Sequence, residues 1–112
     1  ATMYQVHQIV LTPDYTPVQL NAHREVMCFG SKGYKPDEHR EHYNYVANVE
    51  ANNPEHAFHV MNRWTESDEA RVTRHAPLHS LSVGDVLIDF ETGKAIMVDD
   101  YGFADIDFTS FE

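Results

Sequence analysis

Three short segments near the carboxy terminus share a single pattern. Val86, Ile88 and Phe90 fall on one face of an extended run, Lys94 to Val98 forms a second run, and Ala104, Ile106 and Phe108 alternate with Asp105 and Asp107 in a third. Side chains two residues apart share one face of a strand, so alternation of this kind marks strands with one buried and one wet face. Glu91-Thr92-Gly93 and Asp99-Asp100-Tyr101-Gly102 separate the runs, and such turn-forming clusters reverse the chain between antiparallel neighbours. The segment from Val86 to Phe108 is therefore expected to be a three-stranded meander.

Upstream, Tyr4 to Leu11 is rich in Val and Ile and is stopped by Thr12-Pro13-Asp14, which reads as a first strand. Val18, Ala22, Val26 and Phe29 recur at helical spacing and predict a helix with those four residues inward. Gly30-Ser31-Lys32-Gly33 marks a loop, and Lys35 to His42 is too polar to supply core. Tyr43, Tyr45, Ala47 and Val49 alternate with Asn44 and Asn48 as a half-buried strand. Asn53 is suited to cap a helix that begins at Pro54 and runs to about Trp64. Its inner stripe would be Ala57, Phe58, Met61 and Trp64, with Glu55, His59 and Arg63 towards water. Thr65 to Ala70 reads as loop and Arg71 to Pro77 as extended, since Pro77 forbids a helix through it. The expectation is one α+β domain over residues 3–112, a small antiparallel sheet with one or two packed helices. Ala1-Thr2, ahead of Met3, reads as an expression remnant without structural weight.

A chain of 112 residues with 42% hydrophobic side chains has enough apolar material for one core. Its longest apolar runs, such as Val86-Leu87-Ile88, are far too short to span a bilayer, and no charged-then-apolar leader opens it. Cys28 is the single cysteine, which rules out an internal disulfide and a thiolate cage and suits a reducing cytoplasm. Between Met27 and Phe29 it is expected to be a small buried residue rather than a nucleophile.

Net charge is −10, and from Asp85 to Glu112 eight acids face Lys94 alone, leaving only −3 for the other 84 residues. Such a surface repels nucleic-acid phosphates and admits a basic protein partner. Asp99, Asp100, Tyr101, Asp105 and Asp107 are the candidate partner-binding residues. Trp64 and Phe103 are further aromatics, with core packing as their ordinary role.

The elements Tyr45-Val46-Ala47-Asn48-Val49, Ala57-Phe58, Met61-Asn62-Arg63-Trp64, His79-Ser80-Leu81-Ser82-Val83-Gly84-Asp85-Val86 and Gly102-Phe103 form an ordered series. Over Tyr43 to Phe108 this series resembles small proteins of bacteriophages and mobile elements, and its S-x-S-V-G-D-V motif is similar to that of YodL-like domains. The resemblance implies a phage or plasmid accessory protein and carries over no catalytic mechanism. Residues before Tyr43 match no part of it.

Ser80, Ser82, Gly84 and Asp85 lie before a strand, whereas a hydrolase elbow places G-x-S-x-G between a strand and a helix. They are expected to shape a turn, with Gly84 taking a positive φ and Asp85 closing the bend. The pairs His39/His42, His56/His59 and His75/His79 have spacings that a metal pair could use, but none carries the Glu of a zincin motif. The aspartates lack the alternating loop of an EF-hand. No cofactor or catalytic set is expected. The leading reading is a non-enzymatic cytoplasmic protein that binds a bacterial host protein through its acidic surface, touching neither nucleic acid nor membrane. The alternatives are a DNA mimic acting on a DNA-binding protein or nuclease, a histidine-based metalloenzyme, and a homodimer formed through exposed aromatics.

Overall fold

The computed structural model describes residues 1–63 and 66–108, with the side chains of Arg63, Glu66 and Ser67 left aside. Six strands form one antiparallel sheet: β1 (Thr2–Gln8), β2 (Asn44–Ala51), β3 (Val72–Arg74), β4 (Val86–Asp89), β5 (Ala95–Val98) and β6 (Phe103–Ile106). Their spatial order is β3-β2-β1-β4-β5-β6, so the first strand of the chain is central and the meander fills one flank. Thr2 pairs with Ala51 at the end of β1. It is an integral strand residue, contrary to the expectation from sequence.

Two helices pack on opposite faces. On one face α3 (Pro54–Arg63) lays Ala57, Val60 and Met61 against Tyr4, Val6, Val49, Leu87 and Val98. Asn53 caps it through a 2.8 Å bond from the His56 amide, and His56 Nδ1 in turn accepts the Asn52 amide at 3.0 Å. On the other face α1 (Pro17–Phe29) lays Ala22 and Val26 against Val86, Ala95 and Met97, joined by Ile9, Tyr34 and Tyr43. Thr16 and Gln19 form a reciprocal capping box, and Pro17 opens the helix. The strand residues divide by parity: Leu87 faces α3 while Val86 and Ile88 face α1.

Several expectations are corrected. Val18 and Phe29 are 63% and 64% exposed, so the buried stripe of α1 shrinks to Ala22 and Val26. Cys28 is exposed rather than buried. Phe90 points to solvent just past the end of β4. Phe58 is only partly buried and Val60 takes its place in the α3 core, while Trp64 lies outside the described residues. Lys35 to His42 is built of α2 (Pro36–His39) and a 3₁₀ turn at Arg40–His42, and it buries His39 completely. A single helical turn, α4 (Glu66–Glu69), occurs where a loop was expected.

The alternation along β2 also breaks. The pairing with β1 shifts between Val6 and His7, which inserts Val46 as a bulge residue and buries both Val46 and Ala47. On the other side of β2 the Val46 carbonyl continues the register with β3, accepting the amides of His75 and Ala76 at 2.8 and 3.3 Å. Tyr45, expected inside, is partly exposed and stacks on His7.

Candidate functional site

The segment from His79 to Asp85 leads into β4 as irregular backbone, and such backbone must find partners for its amides and carbonyls when buried. Two side-chain amides supply them. Gln8, fully buried at the end of β1, donates from Nε2 to the His79 carbonyl at 2.9 Å and accepts the His79 amide on Oε1 at 3.1 Å. Asn62 on α3 does the same for Leu81, at 3.0 and 2.6 Å. The turn itself closes on Asp85, whose carboxylate accepts the Ser82 amide at 2.9 Å and Gln8 Nε2 at 3.1 Å. Gly84 takes φ +94° and its carbonyl accepts the Tyr43 hydroxyl. Ser82, Gly84 and Asp85 therefore shape the turn, whereas Ser80 is exposed and lends only its carbonyl, to His79 Nδ1 at 2.8 Å.

Asp85 is 5% exposed, and His79 Nδ1 lies 3.9 Å from its carboxylate. Burial pushes the Asp85 carboxyl up to about 7 despite His79, Ser82 and Gln8, all of which favour the charged form. The folded protein thus holds a proton that the unfolded chain releases near pH 4. This contribution to stability is complete below that pH and is lost as pH rises through 7. Burial also holds His7 down to about 4. His7 contributes in the opposite sense, with stability lost as pH falls below 6.5, but this effect is shared by wild type and Asp85→Asn and cancels in their difference. Urea denaturation at about pH 5 and about pH 7.5 should show the wild type losing roughly 2–3 kcal/mol relative to Asp85→Asn across that interval. Parallel stabilities across that interval would contradict the assignment.

The aspartates of the meander do not act as one group. Asp99 turns inward: its carboxylate accepts the Ser31 amide and hydroxyl, each at 2.7 Å, and ties the end of β5 to the loop after α1. Asp100 and Tyr101 project from the β5–β6 turn, and Tyr101 is 98% exposed. Phe29, Lys32, Asp99, Asp100 and Tyr101 line one shallow depression. Asp105 and Asp107 are exposed at the opposite end of β6, where they border a second depression with Gly93 and Lys94. Phe103 packs against the α3 core. The four carboxylates thus do not form a continuous phosphate-like track.

The histidine pairs are separated by their surroundings. His56 is part of the α3 cap, His75 meets the edge of Tyr45, and His39 accepts the Lys35 amide on Nδ1 at 2.9 Å. Among the described residues no three His, Cys, Asp or Glu side chains converge to hold a metal ion. No described helix is long and apolar enough to cross a membrane.

The fold and these surfaces define an α+β domain with a six-stranded antiparallel sheet between two helices. No protein-family model, curated protein or solved structure matches the chain.

Proposed function

We propose that this protein is a non-enzymatic accessory factor of the bacteriophage or mobile-element kind that binds a basic surface of a bacterial host protein. The observation that carries the reading is the β5–β6 turn, where Tyr101 stands 98% exposed beside the exposed Asp100 and shares a depression with Phe29. A protruding tyrosine with little contact to its own fold adds nothing to stability, whereas aromatics of this kind anchor protein interfaces. The exposed Asp100 carboxylate and the net charge of −10 favour a cationic partner over a phosphate backbone. The resemblance of residues 43–108 to YodL-like phage proteins supports the same reading.

Affinity capture from bacterial lysate, followed by binding measurements on the captured protein, tests this. Tyr101→Ala should weaken binding by about 30-fold or more, as expected for an interface anchor. Asp100→Asn should act mainly on the association rate and should lose its effect at high salt. Thermal stability should be unchanged in both variants. A partner held equally well by wild type and Tyr101→Ala would overturn the assignment of this surface.

A further inference from the structure

The sheet ends in β3 on one flank and β6 on the other. On β3 the Arg74 guanidinium is taken by Glu69 of α4. On β6 the register fixes which backbone groups face outward. The Asp99 amide donates to the Gly102 carbonyl, so in the same phase Met97 bonds with Ala104 and Ala95 with Ile106. The backbone groups of Ala104 and Ile106 therefore point to β5, and those of Phe103 and Asp105 point away from the sheet. Among the described residues nothing bonds to these outward amides and carbonyls.

Side chains along the same strand select what can be added to it. Phe103 packs against the α3 core and Ile106 against the α1 core, so by alternation Asp105 stands on the α3 face. Asp105 and Asp107 are exposed and border one depression, where Lys94 is the single cation. At the other end of β6, Phe103 borders a depression of about 290 Å³ that it shares with Phe58, Val98, Glu55 and Asp100. A second copy of the chain fits this edge poorly. Antiparallel self-pairing of β6 brings the aspartates of the two copies together, and like charges across a strand pair repel.

The geometry points to β6 as the docking edge for an extended basic segment of a partner protein, added antiparallel as a seventh strand. The residue opposite Asp105 exchanges both backbone bonds with it and lays its side chain on the α3 face. A lysine or arginine there meets the Asp105 carboxylate across the strand pair, and a second one two residues earlier reaches Asp107. The residue between them falls opposite Ile106 on the apolar α1 face. The residue two places beyond the one opposite Asp105 falls opposite Phe103, at the depression with Phe58. The segment recognised thus reads basic, apolar, basic, any, apolar. Main-chain bonds supply affinity and the alternating side chains select the sequence. This inference rests on the basic-partner reading above and specifies the shape that such a partner presents. Tyr101 lies two residues before β6, so both surfaces belong to one hairpin.

NMR titration of the whole protein with the peptide acetyl-Lys-Val-Lys-Thr-Leu-amide tests the edge without knowledge of the partner. Saturable shifts centred on the amides of Phe103 and Asp105, with slowed hydrogen exchange at both, are expected. N-methylation of the second lysine removes the amide that bonds to the Asp105 carbonyl and should abolish saturable binding. N-methylation of the threonine, whose amide points away from the sheet, should leave binding in place. Replacing both lysines by glutamate should abolish it. Asp105→Lys should weaken the lysine peptide by about tenfold; Asp105 is exposed, so this variant should keep its fold, which unshifted signals of the α1 face would report. Equal binding of the two N-methylated peptides would reduce the effect to charge attraction and overturn the inference, as would equal binding of the lysine and glutamate peptides. A dimer in sedimentation that Asp105→Lys dissociates would assign the edge to a second copy and overturn it likewise. Tyr101→Ala should leave the titration unchanged, and failure of the peptide to bind would leave the Tyr101 test of host binding standing.

Discussion

Gly84→Ala should lower stability by about 3 kcal/mol or more, a thermal-midpoint drop on the order of 10–20 °C. Two effects combine. At φ +94° an L side chain is strained in its own backbone. In addition, a Cβ at this position would lie 2.8 Å from the Val26 carbonyl oxygen and 2.9 Å from its carbon. Both are backbone atoms of α1, so relief requires the helix to lift from the sheet and uncover Val86 and Met97. Gly93→Ala separates the two effects, because Gly93 has φ +72° but nothing within 4 Å of an added Cβ. That substitution should cost only about 1 kcal/mol. Equal losses in the two variants would show that the contact with α1 contributes nothing.

Leu87→Ala should be comparably severe, at about 2–5 kcal/mol. Leu87 is fully buried on β4, with β1 on one side and β5 on the other, and it packs into the cluster beneath α3. Neighbouring strands hold the backbone in place, so the vacated volume cannot readily collapse. The loss should appear as a lower denaturation midpoint with an unchanged denaturant slope. A loss below about 1 kcal/mol would mean that α3 settles into the gap.

These two positions also show what could be read from the sequence. The meander containing Leu87 was legible because period-two alternation and turn clusters are local signals, and all three strands occur where that pattern places them. The α3 start was legible for the same reason, in Asn53 and Pro54. Gly84 was readable as a turn glycine, but its closeness to Val26 depends on a contact between residues far apart in sequence. The same limit hid Gln8 and Asn62, whose amides pair with backbone 71 and 19 residues away. It also made Asp99 look like a surface acid, when its carboxylate is bound to Ser31 across 68 residues. Val18 and Phe29 misled because α1 touches the sheet along a stripe only two residues deep, narrower than its apolar pattern. The burial of His39 was invisible for another reason: nothing in a polar run announces that its ring folds inward to receive the Lys35 amide.

The central place of β1 has a consequence for how the protein comes to be made. Its backbone must pair with β2 on one side and with β4 on the other, the latter contact joining Tyr4 to Asp89. Loop closure over such a separation is slow compared with forming a hairpin such as β4–β5. During synthesis at roughly 5–20 residues per second, the first strand emerges several seconds before its later partner exists. Through that interval Tyr4 and Val6 have only β2 and α3 to cover them, and the side of β1 destined for β4 is an open template for other strands. The yield of native protein should therefore depend on how quickly translation proceeds from β2 to β4, a kinetic vulnerability built into the strand order.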